Sequence, residues 1–296
     1  MNRAALPLVL IVGLVPTAAL AQQSAAVSAP TLTVDGSGGA TGGSPSGFFS
    51  ATGTVPVGDS FGFQADGQLG QAGDRGQGGG AAHLFYRDPD AVMVGATAMW
   101  ARIGGWNAFR YGAEAEAYLG DVTLSPSAGL QRGDANKGTA PSGYAGLDIS
   151  LYATPNLKFT LGGSGFASTR DGVIAAEWQP APATPLTLFA EAGGGNAGAG
   201  FALAGLRFTF GAPGSSLQQR DRHGDPVNAL SAMTTQTGNA LAGAASAVAQ
   251  QKACSDITRL ANQVATALPT GCVASSGFNP NITQTVLGNL PSHTTN

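Results

Sequence analysis

The chain has 296 residues and carries 14 Lys and Arg against 17 Asp and Glu, a formal net charge of −3 that gives no basis for nucleic-acid binding. Charged residues make up 10% of it, against roughly 25% in an average soluble domain, while glycine fills 45 positions and the hydrophobic share is an ordinary 43%. That balance excludes a highly charged disordered polymer and a bundle of apolar spanning helices.

The N-terminus gives the first short signal. Arg3 precedes the apolar run "AALPLVLIVGLV", and "PTAALAQQ" follows. A basic start, a short apolar core and a small-x-small site read as a secretory signal peptide over 1–21, cleaved after Ala21. Pro7 and the shortness of the run argue against a membrane anchor. No apolar run long enough for a spanning helix follows Ala21.

From Thr31 to Phe210 the chain alternates apolar and polar residues in short segments, the period of a strand with one apolar face. "FGFQADGQL" sets Phe61, Phe63, Ala65 and Leu69 against Gln64, Asp66 and Gln68. "FRYGAEAEAYL" sets Phe109, Tyr111, Ala113, Ala115, Ala117 and Leu119 against Arg110, Glu114 and Glu116. "YAGLDISLYA" sets Leu147, Ile149 and Leu151 against Asp148 and Ser150, and "LKFTLGG" sets Leu157, Phe159 and Leu161 against Lys158 and Thr160. "GLRFTFG" sets Leu206, Phe208 and Phe210 against Arg207 and Thr209.

The connectors form two classes. Tight turns fall at "PVGD", "DPDA", "GD", "TPN" and "PAPATP". Mostly longer, glycine-rich connectors fall between them: "SGGATGGSPSG", "AGDRGQGGG", "GDANKGTAP" and "GGGNAGAG". Tight turns on one side and longer loops on the other is the alternation of an antiparallel barrel. Parity then requires a strand before Phe48, and "TLTVDG" from Thr31 supplies it. The count comes to about 12 strands; 10 result if "TLTV" and "VIAAEW" do not span.

On these features, residues 1 to 211 resemble a signal peptide followed by a porin-like bacterial outer-membrane β-barrel. The carrying residues are the "ALA" site, the dyad-repeat strands and the closing strand Leu206, Phe208, Phe210. The resemblance implies an all-β, closed antiparallel transmembrane barrel in the outer membrane of a Gram-negative bacterium. Outer-membrane lipid and the barrel-assembly machinery, which reads a terminal aromatic strand in this class, are the implied partners. It also implies passive passage of small solutes or a structural role, with Arg110, Glu114, Glu116, Asp148, Lys158 and Arg207 as candidate lumen-lining residues. A partner-binding surface or assembly-linked barrel is an alternative. So is a soluble exported β-sandwich, which would bury the same apolar face against a second sheet.

The sequence does not stop at Phe210. "APGSSLQQRDRHGDPVN" reads as a polar linker over 212–228, whose Arg220, Arg222 and His223 offer a small cationic patch for headgroups or peptidoglycan. In 229–296, Ile257, Leu260, Val264 and Leu268 recur at near-helical spacing between Cys254 and Cys272. In an exported chain that pair predicts a disulfide stapling a helix, here in a periplasmic tail.

Enzymatic signals are weak. His83, His223 and His293 are scattered, without zinc spacing, and no nucleophile elbow follows a strand. No cofactor or metal is expected. Trp100, Trp106, Tyr111, Tyr118, Tyr152 and Trp178 fall near strand ends, where an interfacial girdle would put them.

Overall fold

The computed structural model describes residues 25–72, 75–104, 106–133, 141–166, 169–181, 184–196, 200–211 and 214–224. The expected signal peptide and the expected Cys254–Cys272 staple lie outside them.

The twelve strands are β1 (Thr31–Thr41), β2 (Ser44–Val57), β3 (Phe61–Ala72), β4 (Arg75–Asp88), β5 (Val92–Ile103), β6 (Trp106–Leu119), β7 (Val122–Gly133), β8 (Ser142–Thr154), β9 (Leu157–Phe166), β10 (Thr169–Trp178), β11 (Leu186–Gly195) and β12 (Phe201–Phe210). Each pairs antiparallel with its sequence neighbours, and β12 pairs with β1 from Leu32↔Phe210 to Thr41↔Phe201. The sheet is therefore a closed barrel with no free edge, which is how strands satisfy every backbone group in lipid.

The two faces separate as the alternation predicts. Leu206, Phe208 and Phe210 are 47%, 38% and 51% exposed on the outside, as are Phe61, Phe109, Leu147 and Phe159. The alternate positions, such as Thr33, Thr52, Gln64, Arg110 and Gln131, are buried on the inside. A one-residue slip anywhere would exchange the faces, so the dyad pattern fixes the register.

The glycine-rich connectors are shorter than expected. "SGGATGGSPSG" is nearly all strand, and only Gly42 and Gly43 make the turn between β1 and β2, with φ of 61° and 78°. Arg75–Gly80 belongs to β4 and Gly193–Gly195 to β11. Ladder pairing with ordered neighbours outweighs the low strand preference of glycine. "TLTVDG" and "VIAAEW" both form full strands, so the count is twelve.

The stretch expected to be a polar linker holds a helix, α1 (Leu217–His223). Ser216 caps it: its Oγ accepts from the Gln219 N–H, and the Gln219 side chain accepts from the Ser216 N–H. Ser-x-x-Gln is the sequence signature of that reciprocal cap.

Candidate functional site

The inner wall is crowded because aromatic rings lie over glycines of neighbouring strands. A Cβ on Gly129 would stand 2.8 Å from the Tyr144 ring, and one on Gly112 would stand 2.6 Å from the Tyr144 hydroxyl. With both side chains absent, Tyr144 reaches from β8 to β6, where the Arg110 guanidinium stacks 4.4 Å from its ring centre. Arg110 also donates to Gln131 Oε1 at 2.7 and 3.0 Å.

A second cluster spans β2 to β6. His83 Nε2 faces Asp66 Oδ2 at 2.9 Å, and His83 Nδ1 faces Glu114 Oε1 at 2.9 Å. Nδ1 makes hydrogen bonds to Glu114, whereas Nε2 stands at ion-pair distance from Asp66. Thr52 and Gln64 also donate to Asp66, at 2.7 and 2.9 Å. Gly95 makes the reach to Glu114 feasible, since a Cβ there would come within 3.1 Å of Glu114 Oε1. Glu116, two residues along β6, is bound separately: Tyr118 donates to it at 2.6 Å and Arg87 Nη2 lies at 4.0 Å.

The third cluster joins β9, β10 and β12. Glu177 takes Lys158 on one oxygen at 2.7 Å and Arg207 on the other at 2.5 Å. Arg207 stacks over Phe189. Asp148 faces inward between Ser125 and Gly162. The structure thus puts all six candidate lining residues on the inner face, and joins Lys158 and Arg207 through Glu177. Glu114 and Glu116, adjacent on their strand face, go to different partners.

Helix α1 lies across one mouth of the barrel. Asp221 Oδ2 accepts from Tyr152 at 2.6 Å and from Lys158 at 2.8 Å. Arg220 donates to Thr187 Oγ1 at 2.7 Å, and Gln218 and Arg222 donate to the Gly120 carbonyl. Arg222 stacks near Tyr118 and Tyr152. Leu217 is buried. On the other side of the mouth Val27 packs with Phe85, Met93 and Tyr118, and the Ser28 N–H donates to the His223 carbonyl at 3.1 Å. Arg87 reaches the carbonyls of Ala26 and Gly224. The expected cationic patch of Arg220, Arg222 and His223 is therefore turned toward the barrel.

Two girdle expectations are corrected by this contact. Tyr118 and Tyr152 are buried on the inner face, at 6% and 4% exposure, because they alternate with the outward Leu119 and Leu151, and there their hydroxyls bind Glu116 and Asp221. Trp100, Tyr111 and Trp178 are exposed on the outer wall.

His83, Asp66 as its partner, and Glu177 were missed by motif reasoning. Their signal was parity alone: His83 alternates with Leu84 in "AAHLFYRD", and Glu177 with Trp178 in "VIAAEW".

The described strands form a closed antiparallel β-barrel of twelve strands. Among solved structures the chain is similar to the KdgM porin, at 8% identity and a TM-score of 0.48, over 60% of this chain and 99% of that one. It is also similar to an outer-membrane channel from Pseudomonas putida F1, at 14% identity and 0.42, over 63% and 96%. A third is an outer-membrane protein of Acinetobacter baumannii, at 14% and 0.38, over 61% and 98%. No family model and no curated protein matches the chain.

Proposed function

We propose that the barrel stands in the outer membrane of a Gram-negative bacterium and passes small, preferentially cationic solutes. The observation that carries this reading is the charge of the inner wall. Asp35, Asp66, Glu114, Glu116, Asp148, Asp171, Glu177 and Glu191 occupy inward strand positions, against Arg75, Arg87, Arg110, Lys158, Arg207 and the titratable His83. Fixed carboxylates in excess raise the local concentration of cations and repel anions. The even strand number puts β1 and β12 ends, with α1, at the same mouth. We assign that mouth to the periplasm, because the longest connector between strands, 134–141, lies at the opposite end. Phe210 on the closing strand suits recognition by the barrel-assembly machinery.

The reading is tested by reversal potentials in planar bilayers under a salt gradient. The purified protein should favour cations. Asp148→Asn combined with Glu191→Gln should shift the reversal potential toward zero preference. Equal permeability in the unaltered protein would overturn the cation preference. A second reading, a closed structural barrel, is favoured by α1 across the mouth. It predicts no conductance even when the chain ends after Gly211.

A further inference from the structure

The outer wall carries a feature that transport does not use. Near the end remote from α1, a groove of about 750 Å³ runs over β4, walled by Leu69 on β3 and Trp100 on β5. Gln71 and Arg102 stand at its head. Its floor includes Gly76, where a Cβ would meet nothing within 4 Å, so the backbone does not demand glycine there. The register sets Trp100 beside Phe109, Phe109 beside Arg132, and Arg102 beside Asn107. Trp100 Nε1 donates to Asn107 Oδ1 at 3.3 Å. Two guanidiniums therefore flank a pair of exposed aromatic rings. Both are exposed, and among the described residues no carboxylate is paired with either. At the other end of the barrel the exposed charges are of opposite sign: Asp59, Asp90 and Asp121.

Apolar shape alone would not select an occupant, since surrounding lipid tails are as apolar as the groove walls. Charge would. A guanidinium fork matches phosphate oxygens, and tryptophan suits the boundary between headgroup and tail. We propose that Arg102, Arg132, Trp100 and the adjoining groove form a binding site for one phosphate-bearing lipid. The guanidiniums take the headgroup phosphate, and the groove between Leu69 and Trp100 takes an acyl chain. The site needs the barrel to be membrane-embedded but is independent of whether the lumen conducts.

The test uses Trp100 as the reporter. Trp106→Phe and Trp178→Phe leave it as the sole tryptophan of the full chain. The protein is placed in phosphatidylcholine vesicles holding a fixed minor fraction of brominated phosphatidylglycerol or, in parallel, brominated phosphatidylcholine. Unboiled gel migration first establishes that each variant is a folded barrel. The anionic quencher should act more strongly, with roughly five-fold local enrichment per guanidinium. Arg102→Gln with Arg132→Gln should remove that excess. Gly76→Leu should fill the groove and lower quenching by both lipids. Arg170→Gln, elsewhere on the same rim, should leave the excess intact. Equal quenching by both lipids, or an excess that survives the double arginine variant, overturns the site. An equal loss in Arg170→Gln also overturns it, by assigning the effect to general surface charge.

Discussion

His83 sits with its side chain fully shielded between Asp66 and Glu114, and no other cation is placed to compensate that carboxylate pair among the described contacts. Removing one member of a buried charged cluster leaves its partners uncompensated, which costs far more than the cluster contributes relative to an apolar replacement. His83→Ala is therefore expected to destabilise the barrel by about 3 kcal/mol, read as a lower urea midpoint for loss of the unboiled gel band. A midpoint unchanged from the parent would mean that the two carboxylates find protons or water instead. Parity in the sequence puts His83 on the inner face. It does not say which carboxylates it meets, because Glu114 comes from two strands away and reaches past a glycine. The same holds for Lys158 and Arg207, which the sequence places on one face and Glu177 joins.

Helix α1 is held by polar contacts that single substitutions can release. Asp221→Asn removes the charge that binds Tyr152 and Lys158, hydrogen bonds of the charged kind worth roughly 2 kcal/mol. Trypsin should then cut after Arg220 roughly ten-fold faster, since that residue is 5% exposed while α1 is docked. An unchanged rate would show that Leu217 and Arg220 alone hold the helix. The helix also responds to pH through His223. Burial holds His223 below its ordinary value of 6.5, with Arg87 and Arg222 pushing the same way and Asp90 opposing. Its contribution to docking is thus fully present above about pH 6.5 and is lost as pH falls below that value, because the released helix takes up the proton first. A spin label at Gln219 should become more mobile on going from neutral to mildly acidic pH, and His223→Gln should flatten that response. The element was legible in "SSLQQRDRH" through its Ser-x-x-Gln cap, although a polar heptapeptide carries no stripe of apolar residues to announce it.

At the scale of the whole molecule, closure is the property to test. β1 and β12 pair over their length, and Thr33 Oγ1 donates to Thr209 Oγ1 across the seam on the inner side. A closed barrel has no fraying edge, so detergent-extracted protein should migrate faster unboiled than boiled. Absence of a shift would sink the barrel and restore the exported sandwich. The sequence by itself determined the strands, their parity and hence the two faces, because a period of two is a local property that any register must respect. It also required an even number of strands but left twelve and ten open, and the structure decided for twelve. Only the tertiary structure decided that glycine-rich stretches extend the strands, that Tyr118 meets Glu116 and Tyr152 meets Asp221, and that α1 crosses the mouth. Those outcomes depend on which side chains from distant strands compete for the same interior space, and closing the sheet is what brings those side chains together.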